Sequence, residues 1–180
     1  MRALAASTRQ EIVDVLPRLG TVSVAELATA LGRPADSLYY HLRLLTRVGL
    51  VLSAGARSVN GRSEALYRAV ASDLRLAYKL GSHGNGNEIN SIVASMLRLG
   101  IRDFRRSFRA GKASVSGPER ELWALRRTGW LSREQIADVN RHLHKLMQIS
   151  ESSATGEKLY ALTMLLTPLE RKDKKRGARR

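Results

Sequence analysis

Residues 34–51 read Pro-Ala-Asp-Ser-Leu-Tyr-Tyr-His-Leu-Arg-Leu-Leu-Thr-Arg-Val-Gly-Leu-Val, and this stretch decides the predicted fold. Leu38, Leu42 and Leu45 recur at i, i+4 and i+7, the spacing that puts side chains on one face of a helix. The opposite face carries polar and aromatic groups, on Asp36, Ser37, Tyr39, Tyr40, Arg43 and Arg47. We therefore predict a helix over residues 34–48 that buries its leucines and leaves its polar face free.

Two helices are predicted before this segment. The first covers about residues 4–16, after which Pro17 interrupts regular hydrogen bonding. The second follows Ser23, a good N-cap that can form a capping box with Glu26, and it ends at Leu31.

Two extended segments are predicted after the central helix. Leu50–Val59 and Arg62–Val70 flank the dipeptide Asn60-Gly61, which favours a two-residue type I′ turn. Three helices followed by a hairpin are the element order of a winged helix-turn-helix, in which the hairpin is the wing.

The rest of the chain is expected to form a second unit after a glycine-rich hinge at residues 81–87. Its predicted elements are a helix Glu88–Arg109, a loop Ala110–Pro118, a strand or short helix Glu121–Arg127, a helix capped by Ser132 and Gln135 that reaches about Ser150, and a buried strand Leu159–Thr167. The predicted fold class is mainly α with a small β-hairpin wing (α+β), followed by a helical or α/β dimerisation domain.

The composition of the chain favours some kinds of binding partner and excludes some kinds of site. The 180 residues carry 31 Lys and Arg against 16 Asp and Glu, a formal net charge of +15, which favours a polyanion such as nucleic acid or an anionic membrane surface. The absence of cysteine excludes disulfides, thiolate metal sites and cysteine nucleophiles. Without a secretory signal or a run of about 18 apolar residues, we expect a soluble, cytoplasmic protein with no membrane partner.

The free face of the central helix suits double-stranded DNA, because a major groove about 12 Å wide admits a helix. Such a helix enters the groove by its start, so Ser37, Tyr39 and Tyr40 are candidates for base or sugar contacts. Arg43 is the candidate for a guanine edge or a phosphate, and Arg47 for the DNA backbone. The alternative is a solvated face without a ligand.

His41 and the wing arginines each have two interpretations. For His41, a half-buried ring that bonds to neighbouring backbone is favoured over a base contact. Arg57 faces Glu64 across the hairpin, so it either pairs with that carboxylate or contacts DNA. Arg62, beside the turn, is the better candidate for a phosphate or minor-groove contact.

Three motifs carry a resemblance to a known family: Ala-Glu-Leu-Ala-Thr-Ala-Leu at 25–31, Ser-Leu-Tyr-Tyr-His-Leu-Arg-Leu-Leu at 37–45 and Val-Gly-Leu-Val at 48–51. With them, residues 3–70 resemble the ArsR-like winged helix-turn-helix transcriptional regulators. The chain departs from the many relatives that sense soft metals through cysteines, since it has none.

The resemblance implies a homodimer that binds a pseudo-palindromic operator and acts as a repressor until an effector releases it. It implies operator contacts for Tyr39, Tyr40 and Arg43, and support of the helix for His41 and Leu42. The predicted boundaries are a DNA-binding domain at 1–72, a linker at 73–87, a dimerisation and effector domain at 88–170 and a basic disordered tail at 171–180.

Several features of the second unit stay open at this point. A basic stripe on the long helix, Arg98, Arg102, Arg105 and Arg109, either extends the DNA footprint or is solvated. The apolar side of that helix is expected to meet the partner subunit or the later helix and strand. A set of large side chains either lines a pocket for a small-molecule effector or, as the favoured alternative, forms core: Trp123, Trp130, Tyr160, Met96, Met147 and Met164.

Other functional classes have weaker support. Asp138 and His142 have the i, i+4 spacing of a metal pair, but a surface hydrogen bond is favoured, so no metal and no cofactor are predicted. We predict no enzyme, because no nucleophile, base and phosphate-binding loop occur together. The remaining alternative is a general nucleic-acid-binding or ribosome-associated basic protein, in which the charge of the tail matters more than the helix face.

Overall fold

The computed structural model describes residues 2–72, 77–79, 84–152 and 158–169. After a short 3-10 turn at Arg2–Ala5, the elements are α1 (Ser7–Leu19), β1 (Val22–Ser23), α2 (Val24–Leu31), α3 (Asp36–Arg47), β2 (Val51–Val59), β3 (Arg62–Ala69), α4 (Gly86–Ala110) and α5 (Arg133–Ser152). The predicted α+β fold is confirmed: N-terminal helices precede a small antiparallel sheet, and helices follow it.

The core lies where α1, α2 and α3 meet the start of β2. Leu38, Leu42 and Leu45 of α3 are completely buried. They form one apolar cluster with residues of α1 that include Ile12 and Leu16. The leucine stripe read from the sequence is therefore the inner face of α3.

The predicted capping box starts α2. Ser23 Oγ accepts a hydrogen bond from the Glu26 backbone N–H at 3.3 Å, and Glu26 Oε2 accepts one from the Ser23 N–H at 2.7 Å. Gly32 follows the helix with a φ of 61°, in the left-handed region that favours glycine. The second helix is confirmed at both ends.

Both ends of the first helix and the start of the third differ from the prediction. α1 begins at Ser7 rather than at about Leu4. α1 continues past Pro17 to Leu19, because a proline in the last turn removes only one hydrogen bond. α3 begins at Asp36 rather than at Pro34. The Ser37 N–H bonds to the Pro34 carbonyl at 3.2 Å, so a tighter i−3 turn precedes the regular helix.

The predicted hairpin is present, with β2 and β3 antiparallel and Val59 opposite Arg62. Its turn residues Asn60 and Gly61 have φ values of 50° and 75°, which a type I′ turn requires. The short β1 adds to the other edge of β3 and gives the strand order β1-β3-β2. This third strand was not predicted, because a two-residue strand is too short to show alternation.

α4 packs on the N-terminal helices. Its inner face buries Ile89, Ile92, Ser95 and Leu99, and the helix contacts α1 and the turn before it. Ile92 belongs to the same apolar cluster as the leucines of α3. The first half of this helix therefore completes the N-terminal core, which was not predicted. The expected approach of a later segment is seen at Gly100, which lies close to Thr163, while contact with a partner subunit stays a prediction.

The segments after α4 differ from their predictions. The described residues 121–127 form neither the strand nor the short helix considered for them. Residues 159–167 are exposed and pair with no described strand, so the predicted buried strand is wrong. The large apolar side chains of this segment, among them Leu162 and Leu165, are not buried by the part of the chain that the structure describes. The cap before α5 is confirmed by reciprocal bonds of 2.8 and 3.3 Å between Ser132 and Gln135.

Some expectations lie outside the described residues, among them the basic tail at 171–180 and the hinge residues 81–83. Just before α4, the Asn85 side chain accepts a hydrogen bond from the Lys79 N–H at 2.9 Å. Within the described ranges, every helix is too short or too polar to cross a lipid bilayer.

Shortening the central leucine of α3 should destabilise the whole fold. We expect Leu42→Ala to lower the free energy of unfolding by about 2 to 5 kcal/mol, because it leaves a cavity in a fully buried cluster. Urea denaturation followed by circular dichroism measures this change. The control is Val48→Ala at an exposed position just beyond α3, expected to stay within about 0.5 kcal/mol. Equal effects of the two changes would contradict the packing described.

Candidate nucleic-acid interface

The outer face of α3 is open to solvent. Tyr39 and Tyr40 expose 49% and 61% of their surface, and Arg43 and Arg47 are exposed beside them. Neither arginine forms an ion pair with any residue that the structure describes. Two rings and two guanidinium groups are thus available to a ligand on this face.

Ser37 lies at the start of α3, and its hydroxyl donates a hydrogen bond to the Pro34 carbonyl at 2.7 Å. The hydroxyl proton is therefore occupied, while the oxygen keeps lone pairs that can accept. In this rotamer Ser37 can therefore accept, but not donate, a hydrogen bond to a ligand.

His41 is half-buried at the edge of the face, and its ring meets that of Tyr40 edge-on, with the centroids 5.4 Å apart. Burial, together with the charges of Arg9 and Arg33, lowers the pKa of His41 below its ordinary value of 6.5. The ring is therefore neutral near pH 7. The expected bond to backbone is missing at Nδ1, which is buried without a hydrogen-bond partner.

The wing is tied to α2 by one arginine. Arg57 pairs with Glu64 across the hairpin at 3.2 Å and with Glu26 of α2 at 2.8 Å. The cross-strand ion pair considered for Arg57 is thus confirmed, while its contact with DNA stays a prediction. Arg62, at the tip of the hairpin, is exposed and has no ion pair among the described residues.

A carboxylate beneath this surface joins three parts of the fold. Glu11 of α1 is largely buried, and its two oxygens bind Arg33, after α2, at 2.7 Å and Arg102 of α4 at 2.5 Å. Burial alone would raise the pKa of Glu11, but the hydrogen bonds and charges of Arg102 and Arg33 outweigh it and hold the pKa below 4.5. Glu11 is therefore ionised at neutral pH and fixes α4 against the turn that leads into α3.

The other arginines of α4 form a basic surface beside that turn. Arg98, Arg105, Arg106 and Arg109 line an open cleft of about 680 Å³ together with Arg102 and Ile101. Arg106 reaches the turn itself, since its Nη1 lies 3.8 Å from where a Cβ on Gly32 would be. Within the basic stripe that the sequence predicted, Arg102 forms an ion pair with Glu11, whereas Arg105 and Arg109 are exposed.

The large side chains considered for a core or an effector pocket fall into two groups. Met96 packs against the apolar cluster, as the favoured alternative predicted, whereas Trp123, Trp130, Tyr160 and Met164 are exposed. For the proposed metal pair, His142 Nδ1 hydrogen-bonds to the Asp138 carbonyl oxygen at 2.8 Å. The Asp138 carboxylate pairs with the neighbouring Arg141.

Sequence reasoning missed the Glu11 cluster. Glu11 is adjacent to the apolar residues of the first helix, which is a weak signal of burial. Its partner Arg102 lies 91 residues away, a separation that no spacing rule covers. The basic stripe on α4 was visible, but nothing in the sequence showed which arginine turns inward.

The helices that present this surface match a known family. A scan against protein-family models matches residues 4–54 to a helix-turn-helix domain. Residues 4–54 form a helix-turn-helix domain. The match runs from just before α1 into β2 and spans less than a third of the chain. A search of the curated proteins finds no match.

Removing the charge of Glu11 should weaken the helix-turn-helix domain at neutral pH. We expect Glu11→Gln to lower the free energy of unfolding by about 1.5 to 3 kcal/mol at pH 7, the range for hydrogen bonds to charged groups. Because the folded-state pKa lies below the ordinary value, the stabilisation by Glu11 is complete above pH 4.5 and is lost as the pH falls through the folded-state pKa. The difference between wild type and variant should therefore shrink in acid.

Urea titrations at a series of pH values measure this difference. The matched control is Glu119→Gln, at an exposed glutamate without an ion pair among the described residues. It should show little difference from wild type at any pH. A Glu11→Gln effect that stays constant down to strongly acidic pH would contradict the role of the charge.

Proposed function

We propose that this protein is a sequence-specific DNA-binding transcriptional regulator that acts in the cytoplasm as a homodimeric repressor. In this proposal α3 reads the major groove, and the wing of β2 and β3 contacts the DNA backbone or the minor groove. The helix-turn-helix domain supports DNA binding. Repression, and release by a small-molecule effector, follow from the ArsR-like resemblance of residues 3–70.

One observation supports the proposal most directly: one face of α3 is buried and the opposite face is exposed. Leu38, Leu42 and Leu45 are fully buried, so the helix cannot rotate without exposing them. Tyr40 and Arg43 are therefore held outward, on a rigid element rather than on a loop. A fixed display of rings and guanidinium groups is what direct reading of base edges requires.

The expected contacts follow from position along α3. Ser37, Tyr39 and Tyr40 lie at the helix start and would reach base edges or sugars, and Arg43 would bind a guanine edge or a phosphate. Arg47, one turn later, would bind the backbone. In the wing, Arg62 is the phosphate or minor-groove contact, while Arg57 holds the wing against α2 through Glu26.

The basic surface of α4 supports a wider footprint. Arg106 lies beside Gly32, at the turn that precedes the reading helix. Phosphates that flank the major groove would pass close to this turn, and arginine binds phosphate well. We assign Arg105, Arg106 and Arg109 to phosphate contacts that add affinity without sequence preference.

A homodimer fits the size of the reading surface. One α3 helix reaches only a few base pairs, whereas two copies related by a two-fold axis read two half-sites about 34 Å apart. The proposed operator is accordingly a pseudo-palindrome whose half-sites are separated by one turn of DNA.

Changing the reading face should reduce specificity. We expect Tyr40→Ala and Arg43→Ala each to weaken binding to the preferred site by about 1 to 3 kcal/mol per lost base contact, and binding to random duplex far less. Selection from random or genomic fragments identifies the preferred site, and fluorescence anisotropy then measures both affinities.

Two controls make this test specific. Arg133→Ala removes an equal charge from an exposed position at the start of α5 and should leave the preference intact. Deleting residues 171–180 should lower all affinities together. Equal wild-type affinity for every duplex would overturn the proposal, and so would binding that requires the tail but not Tyr40; the latter result would identify a general nucleic-acid-binding protein.

The α4 arginines should affect the salt dependence of binding instead. Arg106→Ala is expected to weaken binding to preferred and random duplex by the same factor and to reduce the slope of log K against log salt by about 1. Anisotropy titrations at several salt concentrations give this slope, with Arg133→Ala again as the control. An unchanged slope would remove α4 from the proposed footprint.

A further inference from the structure

The C-terminal half carries apolar side chains that the single chain leaves open. Most lie on two segments that form neither helix nor strand, residues 121–131 and 158–169, which we call the arms. Among the exposed side chains of the arms are Trp123, Leu125, Trp130, Leu162, Leu165 and Leu169. Trp123 exposes 65% of its surface and Trp130 exposes 83%, although tryptophan is normally among the well-covered residues of a folded protein.

A stripe on α4 continues this surface. Leu97, Ile101 and Phe108 are exposed, and with Phe104 they follow the i, i+4, i+7, i+11 spacing of one helical face. The rings of Phe104 and Phe108 stack with their centroids 6.2 Å apart. This outer stripe is distinct from the inner face that α4 buries against α1.

The second arm crosses α4 next to the stripe. Thr163 Oγ1 lies 3.2 Å from the position that a Cβ on Gly100 would take, so the Thr163 side chain lies close to the backbone of α4 at this glycine. The two arms are also joined to each other. Glu121 accepts hydrogen bonds from Tyr160 Oη at 2.6 Å and from Lys158 Nζ at 3.0 Å. Arms and stripe therefore form one continuous surface.

Two stretches of the arms lack hydrogen bonds within the backbone. Among the described residues, no backbone-to-backbone hydrogen bond involves 123–129 or 161–169. Backbone N–H and C=O groups of this kind, beside apolar side chains, can pair with a strand of another chain.

The size of this surface matches a protein interface. With roughly 60 to 150 Å² exposed per large side chain, a dozen such groups offer on the order of 1,000 Å², comparable with the roughly 800 Å² per partner of a standard interface. The largest apolar patch on a typical monomer is about 300 to 600 Å². The surface therefore requires a cover of the size of another protein.

We propose that a second copy of this chain covers the arms and the outer stripe of α4, so that the two pairs of arms build one two-fold interface. This inference rests on the proposed function in one respect only, which is that operator binding needs a dimer. An isologous contact buries the same apolar surface on both subunits. The backbone groups of the arms favour a protein over a lipid surface, because lipid offers no partners for N–H and C=O groups.

The placement of the interface has a consequence for DNA reading. α4 carries the outer stripe on one side and the bond between Arg102 and Glu11 on another. Through Glu11 it is fixed against Arg33 and the turn that leads into α3. A dimer built on α4 and the arms would therefore set the distance between two reading helices through rigid, ion-paired contacts.

The tryptophans supply a direct test on the full-length protein. The chain has only two tryptophans, and both lie in the first arm, so intrinsic tryptophan fluorescence reports on the proposed interface alone. Sedimentation velocity from nanomolar to micromolar protein should show a monomer–dimer equilibrium. In the dimer, tryptophan emission should shift to shorter wavelength and resist quenching by acrylamide, and both changes should reverse on dilution with the same midpoint as dissociation.

Three substitutions at similarly exposed positions distinguish the interface from the rest of the surface. Leu165→Asp in the second arm should raise the dimer dissociation constant by about 100-fold or more, since two-fold symmetry counts each lost contact twice. Ile101→Asp in the stripe should act in the same direction. Val115→Asp, in the loop before the first arm, should dimerise like wild type. Circular dichroism confirms that each variant is folded.

Three results would overturn the proposal: a wild-type protein that stays monomeric, a dimer whose tryptophans remain open to acrylamide, or a Leu165→Asp variant that dimerises as well as Val115→Asp. A monomer that binds anionic vesicles with a blue shift would assign the surface to lipid instead. Failure of the regulator assignment is distinguishable. A dimer with protected tryptophans but no sequence preference would overturn that assignment alone, and a monomer with a preferred half-site would overturn the interface alone.

Discussion

The complete burial of Leu38, Leu42 and Leu45 is the constraint on which the remaining structure depends. Three leucines on one side of a twelve-residue helix leave it a single orientation in the core, because any rotation would expose apolar surface at about 25 cal/mol per Å². That orientation decides which side chains face outward. The exposed face of α3 is thus a consequence of packing, and its polar side chains need no internal partners to stay in place.

The second constraint is electrostatic and concerns the position of α4. A largely buried carboxylate is stable only when its lone pairs are satisfied, and Glu11 meets this requirement with one arginine from the helix-turn-helix and one from α4. The ion pairs of Glu11 are directional, whereas the apolar contacts of Ile92 and Leu99 are not. Apolar burial brings α4 to the domain, and the ion pairs fix its rotation and register.

The sequence predicted features that neighbouring residues determine. The Ser23 and Ser132 caps, the Asn60-Gly61 turn and the pairing of Arg57 with Glu64 depend on residues within a few positions of each other or across one tight turn, so spacing rules apply to them. For the candidate site, the exposed face of α3 followed from helical periodicity alone. The prediction failed where a distant residue decides: β1 needs β3 as its partner, Glu11 needs Arg102, and the inner face of α4 needs α1.

The arms show a different kind of failure. Alternating bulky residues at 159–167 predict a buried strand. Such a pattern indicates that the side chains become buried, but it does not indicate whether the same chain or another molecule buries them. In the structure the segment forms no strand, and its residues are exposed. A segment with this many exposed apolar side chains can bury them only against another protein surface. Residues 159–167 have the composition of a buried segment but are exposed in the single chain. The same residues are therefore the ones expected at a contact between two chains.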